Sequence, residues 1–130
     1  MSSAPEATKT PAWMYWTGWV VSVLPALGLV VSGVMKLVKP EMIVKEFARL
    51  GYHDDVIIGL GIVEITCTAI YLIPRTGVLG AILLTGYLGG AVATHLRIGD
   101  PYYGPIVFGV LVWLGLYLRD SRLRAILPRM

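Results

Sequence analysis

The chain has 130 residues, of which 56% are hydrophobic and only 15% are charged, and its mean hydropathy is +0.72. A water-soluble domain carries about 25% charged residues, and a core of this size cannot hide such an excess of apolar side chains. The net charge of +3 does not favour a nucleic-acid partner, because the basic residues lie at the ends of apolar segments, as in membrane proteins. These properties predict one small domain embedded in a membrane.

The chain begins with a polar segment, residues 1–14, which is predicted to be a disordered tail. The apolar segment 16–38 follows and is long enough for a transmembrane helix. Four Trp and Tyr side chains form an aromatic collar where this helix meets the membrane surface. Ser32 and Gly33 add small side chains that favour close packing against another helix.

The segment after the first span has the pattern of a short amphipathic helix. Pro40 suits the first position of a helix, and Gly51 suits its end. Ile43, Phe47 and Leu50 follow at the spacing i, i+4 and i+7, and therefore share one face. We predict a helix lying on the membrane surface, with a plain solvated connector as the open alternative.

Three further apolar segments predict transmembrane helices over residues 56–73, 77–96 and 105–118. The second of these contains Gly86 and Gly90 in a GxxxG pattern, which predicts close helix packing. The last has 14 residues, or about 21 Å of helix, which is short for a bilayer core of about 30 Å.

The predicted fold is an all-α integral membrane protein with four transmembrane helices in an antiparallel bundle and a short amphipathic helix between helices 1 and 2. The membrane domain covers residues 15–118, and a basic tail covers residues 119–130. Six Lys and Arg residues lie on the side of the termini and five on the other, or three if Lys36 and Arg97 belong to an internal site. This bias predicts a protein of the cell (inner) membrane with both termini in the cytoplasm.

Glu64 is the most unusual residue, because it places a carboxylate in the middle of the second span. Such a group costs several kcal/mol in hydrocarbon unless it is protonated, paired or facing water. It lies eight residues into its span, or ~12 Å deep, and Tyr87 and Trp113 lie at the same depth on the neighbouring spans. Tyr87 is therefore predicted to donate a hydrogen bond to Glu64.

Four other polar residues fall in the same half of the membrane as Glu64: Lys36, His95, Arg97 and Asp100. Either Lys36 or Arg97 is expected to pair with Glu64, and Asp100 is expected to pair with Arg97. With Tyr87 and Trp113, these residues form the predicted polar pocket. Glu64 then either locks the helices together, binds a head group or relays protons, or acts as a catalytic acid or base.

Three motifs resemble the DoxX-like family: S-G-V-M-K-L at the end of the first span, G-x-V-E ending at Glu64, and H-L-R-x-G-D-P beginning at His95. The resemblance implies four transmembrane helices. The family is named for a small subunit of an archaeal thiosulfate:quinone oxidoreductase, most members have no assigned activity, and eukaryotic relatives include a receptor-assembly chaperone. These associations imply a bacterial membrane component of a redox system, or an assembly factor.

Two functions follow as expectations. The first is a non-catalytic subunit or assembly component that forms a homo-oligomer or joins a larger membrane complex, since no complete catalytic set is present in the sequence. The second is a quinone- or lipid-binding component of a redox system, in which Glu64, His95 and Lys36 hold a head group. Haem or metal binding is not favoured, because His53 is the only other histidine and no Cys/His cluster exists.

Overall fold

The computed structural model describes residues 10–126, and these residues form helices and connecting turns without any strand. The helices are α1 (Ala12–Val38), α2 (Glu41–Arg49), α3 (Ile57–Leu72), α4 (Gly77–Arg97), α5 (Tyr103–Arg119) and α6 (Ser121–Ile126). Short 3-10 turns, Asp54–Val56 and Pro74–Thr76, precede α3 and α4. Most of the predicted N-terminal tail, and the last four residues of the predicted C-terminal tail, lie outside the described residues.

Three of these helices, two of them counted with the 3-10 turn that precedes them, are long and apolar enough to cross a membrane: Ala12–Val38, Asp54–Leu72 and Pro74–Arg97. The fourth apolar helix, α5, is shorter, as its sequence predicted. Large apolar side chains on the outer surfaces stay exposed, among them Leu24, Val31, Ile82 and Val110. Such surfaces are suited to contact with lipid chains rather than water. The chain is thus a small multi-pass membrane protein.

The four apolar helices pack around a shared core. α1 contacts α3 and α5, and α4 contacts the same two helices. Tyr71 is fully buried in this core, where its hydroxyl donates to Val112 O at 2.6 Å and also lies at hydrogen-bonding distance, 3.0 Å, from Ser22 Oγ. Tyr71, which belongs to α3, therefore links α3 to both α5 and α1.

Two glycine contacts bring α3 close to its neighbours. A Cβ atom at Gly80 would lie 2.2 Å from Tyr71 N, so α4 packs directly against the backbone of α3. A Cβ atom at Gly61 would lie 2.9 Å from both Gly33 O and Lys36 Cβ. The close approach of α1 and α3 at Gly61 brings Lys36 within reach of the next turn of α3, which carries Glu64.

Candidate functional site

An ion pair joins α1 and α3 at the candidate site. Lys36 Nζ lies 2.8 Å from Glu64 Oε1, and the two side chains are only 11% and 2% exposed. Tyr87 OH on α4 donates to the same carboxylate oxygen at 3.1 Å, which agrees with the depth calculated from the sequence. Ser32 Oγ bridges the pair, because it accepts from Lys36 at 2.6 Å and lies 3.3 Å from Glu64 Oε1. Of the two basic residues considered as partners of Glu64, Lys36 and not Arg97 forms the ion pair.

A cavity of about 450 Å³ lies next to this ion pair. This volume falls within the usual range of about 300–1,000 Å³ for small-molecule sites. Its lining is mainly apolar and comes from α1, α2, α3, α4 and the segment after α2. Lys36, Tyr87 and His95 supply polar atoms to its wall, whereas Glu64 lies behind Lys36 and Tyr87 and contacts both. The cavity thus combines an apolar interior with a few polar groups, two of which, Lys36 and Tyr87, share one buried carboxylate.

Three of the seven residues predicted to form the polar pocket lie away from this cavity. Trp113 points to another face, where its indole N–H donates to Thr85 Oγ1 at 2.7 Å. Arg97 donates to Leu50 O at 2.7 Å rather than to Glu64. The expected pairing of Asp100 with Arg97 is wrong, because Asp100 Oδ2 pairs with Arg49 Nη2 at 2.6 Å.

Helix α2 forms one wall of the cavity, a role that the sequence did not predict. Ile43 and Phe47 of α2, and Leu50 directly after it, all line the cavity, and Phe47 and Leu50 are buried. The ring of Phe47 lies 5.9 Å from Lys36 Nζ, a distance that allows a cation–π contact. The helical spacing of these residues identified the buried face, but not the surface that it covers.

Two glycines of α4 create part of the empty space. Gly86 and Gly90 line the cavity, and a Cβ atom at either position would meet nothing within 4 Å. The close packing that the GxxxG pattern predicted is therefore absent between these glycines and the rest of residues 10–126. Next to them, Thr94 Oγ1 and Tyr52 OH share a hydrogen bond of 2.7 Å that links α4 to the segment after α2.

Polar contacts hold the C-terminal end of α2 against the connection between α4 and α5. Arg49 bonds to Asp100 and also to Glu46 within α2, while Arg97 caps the carbonyl of Leu50. The hydrogen bond from Arg49 lowers the pKa of Asp100 and, likewise, the pKa of Glu46, and these contacts raise the pKa of Arg49. Exposed charged side chains thus attach α2, which forms one wall of the cavity, to the end of α4 and to the connection between α4 and α5.

We expect this attachment to weaken in acid. Because the pKa of Asp100 is lowered in the folded state, its stabilising effect is present above the ordinary value of about 3.9 and is lost as the pH falls through the folded pKa. A spin label at exposed position Lys45 should become more mobile below about pH 4. Asp100→Asn should show that higher mobility already at pH 7. Equal mobility of the variant and the parent at pH 7 would show that Asp100 does not hold α2.

These observations define a class: a small, all-helical, multi-pass membrane protein with an apolar cavity beside a buried ion pair. The sequence profile of the DoxX-like family matches residues 20–115, about three quarters of the chain. The chain belongs to the DoxX-like family. No curated protein and no solved structure shows significant similarity to it. Lys36, Glu64 and His95, which lie in the three motifs that suggested the family, come together at the cavity or directly behind it.

Proposed function

We propose that this chain is a non-catalytic component of a bacterial inner membrane and that its cavity holds the polar head of a lipophilic molecule, either a quinone or a lipid. The observation that carries the proposal is the 450 Å³ apolar cavity with Lys36, Tyr87 and His95 in its wall. A lipophilic molecule needs an apolar volume for its rings or chains and a few fixed polar atoms for its head group.

The polar groups in the cavity wall retain hydrogen-bond donors and acceptors that a ligand can use. An ammonium group has three N–H donors, and Lys36 uses two of them on Glu64 and Ser32. The third is suited to a ligand carbonyl. Nδ1 of His95 donates to Ala91 O at 2.8 Å, which leaves Nε2 of the neutral imidazole as an acceptor for a ligand hydroxyl. Because Glu64 is paired with Lys36, its carboxylate is a fixed counter-charge for the ammonium group. This arrangement favours a ligand-binding site over a catalytic one.

The proposed topology is an antiparallel bundle that crosses the membrane four times with cytoplasmic termini. The buried residues Lys36 and Arg119 have internal partners and are left out of the charge count. Five basic residues then remain on the side of the termini: Lys9, Arg75, Arg122, Arg124 and Arg129. Four remain on the opposite side: Lys39, Lys45, Arg49 and Arg97. This bias supports the proposed orientation.

The test is direct analysis of bound molecules. The protein is purified in a mild detergent, and its lipid extract is compared by mass spectrometry with an extract of the whole membrane. Enrichment of a quinone or of one lipid class would support the proposed function and identify the ligand class. An extract with the same composition as the membrane would contradict it.

A second candidate is an interaction subunit, favoured by glycines that no helix covers. Gly59 and Gly89 are exposed on α3 and α4, and a Cβ atom at either would meet nothing within 4 Å among the described residues. Small residues on lipid-facing surfaces allow another helix to approach closely. Native mass spectrometry of the detergent-purified protein should then show a homo-oligomer or a bound partner. A monomer without partners would contradict this role.

A further inference from the structure

A second buried polar cluster lies at the opposite end of the helices from the cavity, around Arg119. The side chain of Arg119 is buried, with 7% of the residue exposed, although it is the last residue of α5. Its Nε donates to Ser22 Oγ at 2.9 Å, and its Nη2 donates to Tyr71 O at 2.8 Å. The guanidinium carbon lies 4.1 Å from the ring centre of Trp19. These partners fix the position of the side chain, but all of them are uncharged.

The charge of Arg119 has no carboxylate partner within residues 10–126. Asp120, its neighbour, is buried, but its oxygens accept from the backbone N of Arg122 at 2.9 Å and from the guanidinium of Arg122 at 3.2 Å. The three side chains therefore carry one excess positive charge. Burying an uncompensated charge is costly, so an anion supplied from outside would stabilise this cluster.

The cluster borders a small cavity of about 130 Å³. It is lined by the four consecutive residues Arg119, Asp120, Ser121 and Arg122 together with Tyr15, Trp19 and Pro74. Since a water molecule occupies about 30 Å³, the cavity has room for one small group but not for a whole drug-sized ligand. The Nη1 groups of Arg119 and Arg122 make no hydrogen bond within the described residues, so both arginines retain donors for an anion.

We propose that this cavity binds the phosphate group of a membrane phospholipid. Two arginine side chains at one cavity match the geometry with which guanidinium groups bind phosphate oxygens. Trp13 and Trp16 are both about two-thirds exposed beside this end of α1, as in the aromatic belts found at the level of lipid head groups. A phospholipid can therefore place its phosphate here while its chains remain along the outer apolar surface.

Titrating the delipidated full chain in mild detergent tests the proposal. The probes are dihexanoyl-phosphatidylglycerol, dihexanoylglycerol without phosphate, and inorganic phosphate, with tryptophan fluorescence as the readout because Trp19 lines the cavity. We expect the phospholipid to bind at least ~10-fold more tightly than either of the other two. Binding of dihexanoylglycerol with equal affinity would overturn the phosphate site. Equal affinity for inorganic phosphate would show that a free anion, not a lipid, is the ligand.

Two arginine variants provide the matched comparison. Arg122→Gln removes a lining guanidinium and should weaken phospholipid binding about tenfold. Arg124→Gln makes the same change in charge, but Arg124 donates to Tyr117 O and Leu118 O and does not line the cavity. The affinity of the Arg124→Gln variant for the phospholipid should therefore stay unchanged. Equal weakening in both variants would overturn the site in favour of general surface charge. The three-probe comparison on the parent chain decides the proposal even if Arg122→Gln fails to fold.

Discussion

Glu64→Leu should lower the free energy of unfolding by about 3–5 kcal/mol, because it leaves Lys36 as a buried charge without a partner. The variant would also remove the acceptor for the Tyr87 hydroxyl, which is 3.1 Å from Glu64 Oε1. Glu64→Gln retains a carbonyl acceptor for both donors but removes the counter-charge of Lys36, so it should cost less than Glu64→Leu, about 1.5–3 kcal/mol. The measurement is titration of the purified protein with a denaturing detergent, followed by circular dichroism.

A double variant separates the ion pair from simple loss of packing. Lys36→Met combined with Glu64→Leu replaces both charges with apolar groups of similar volume, and such replacements of buried pairs are often neutral or stabilising. The double variant should therefore be more stable than Glu64→Leu alone. The stability of Lys36→Met alone completes the comparison. If the loss of unfolding free energy in the double variant equals the sum of the losses in Lys36→Met and Glu64→Leu, the two residues act independently and the ion pair does not link α1 to α3.

The regular rise of a helix explains which parts of this site can be predicted from the sequence. Counting residues along spans places Tyr87 level with Glu64, and the two are hydrogen-bonded. The same count places Trp113 at that depth, yet its indole faces Thr85 instead. Depth depends only on the number of residues, whereas the direction of a side chain around the helix depends on how the helices pack.

The contacts that the sequence did not predict depend on the path of the connections and on the tertiary surroundings. Arg49 and Asp100 are 51 residues apart and meet only because α2 folds back over the cavity. Arg119 resembles an ordinary basic residue at a helix end, and its burial depends on the small residues that surround it, such as Gly18 and Ser22. The Gly86 and Gly90 pattern is equally compatible with a helix contact and with an empty space, and only the packed structure distinguishes these outcomes.

Gly86→Leu should abolish most ligand binding while leaving the fold intact. Gly86 lines the cavity, and open space surrounds the position of its missing side chain, so leucine would fill volume that a ligand needs. We expect binding at least ~10-fold weaker in a titration with a short-chain quinone, and the same loss of any lipid that co-purifies. The unfolding midpoint should not fall, because leucine favours a helix by roughly 0.5–1 kcal/mol over glycine.

Gly59→Leu is the matched control, since Gly59 is also a helical glycine with nothing within 4 Å, but it does not line the cavity. Unchanged binding in Gly86→Leu, or equal loss in both variants, would place the ligand elsewhere. The double variant of Lys36 and Glu64 adds a further distinction, because it keeps the volume of the cavity but removes the ion pair beside it. Loss of quinone binding with retention of a non-specific lipid would assign head-group recognition to the ion pair, whereas retention of both would show that the cavity selects its ligand by apolar shape alone.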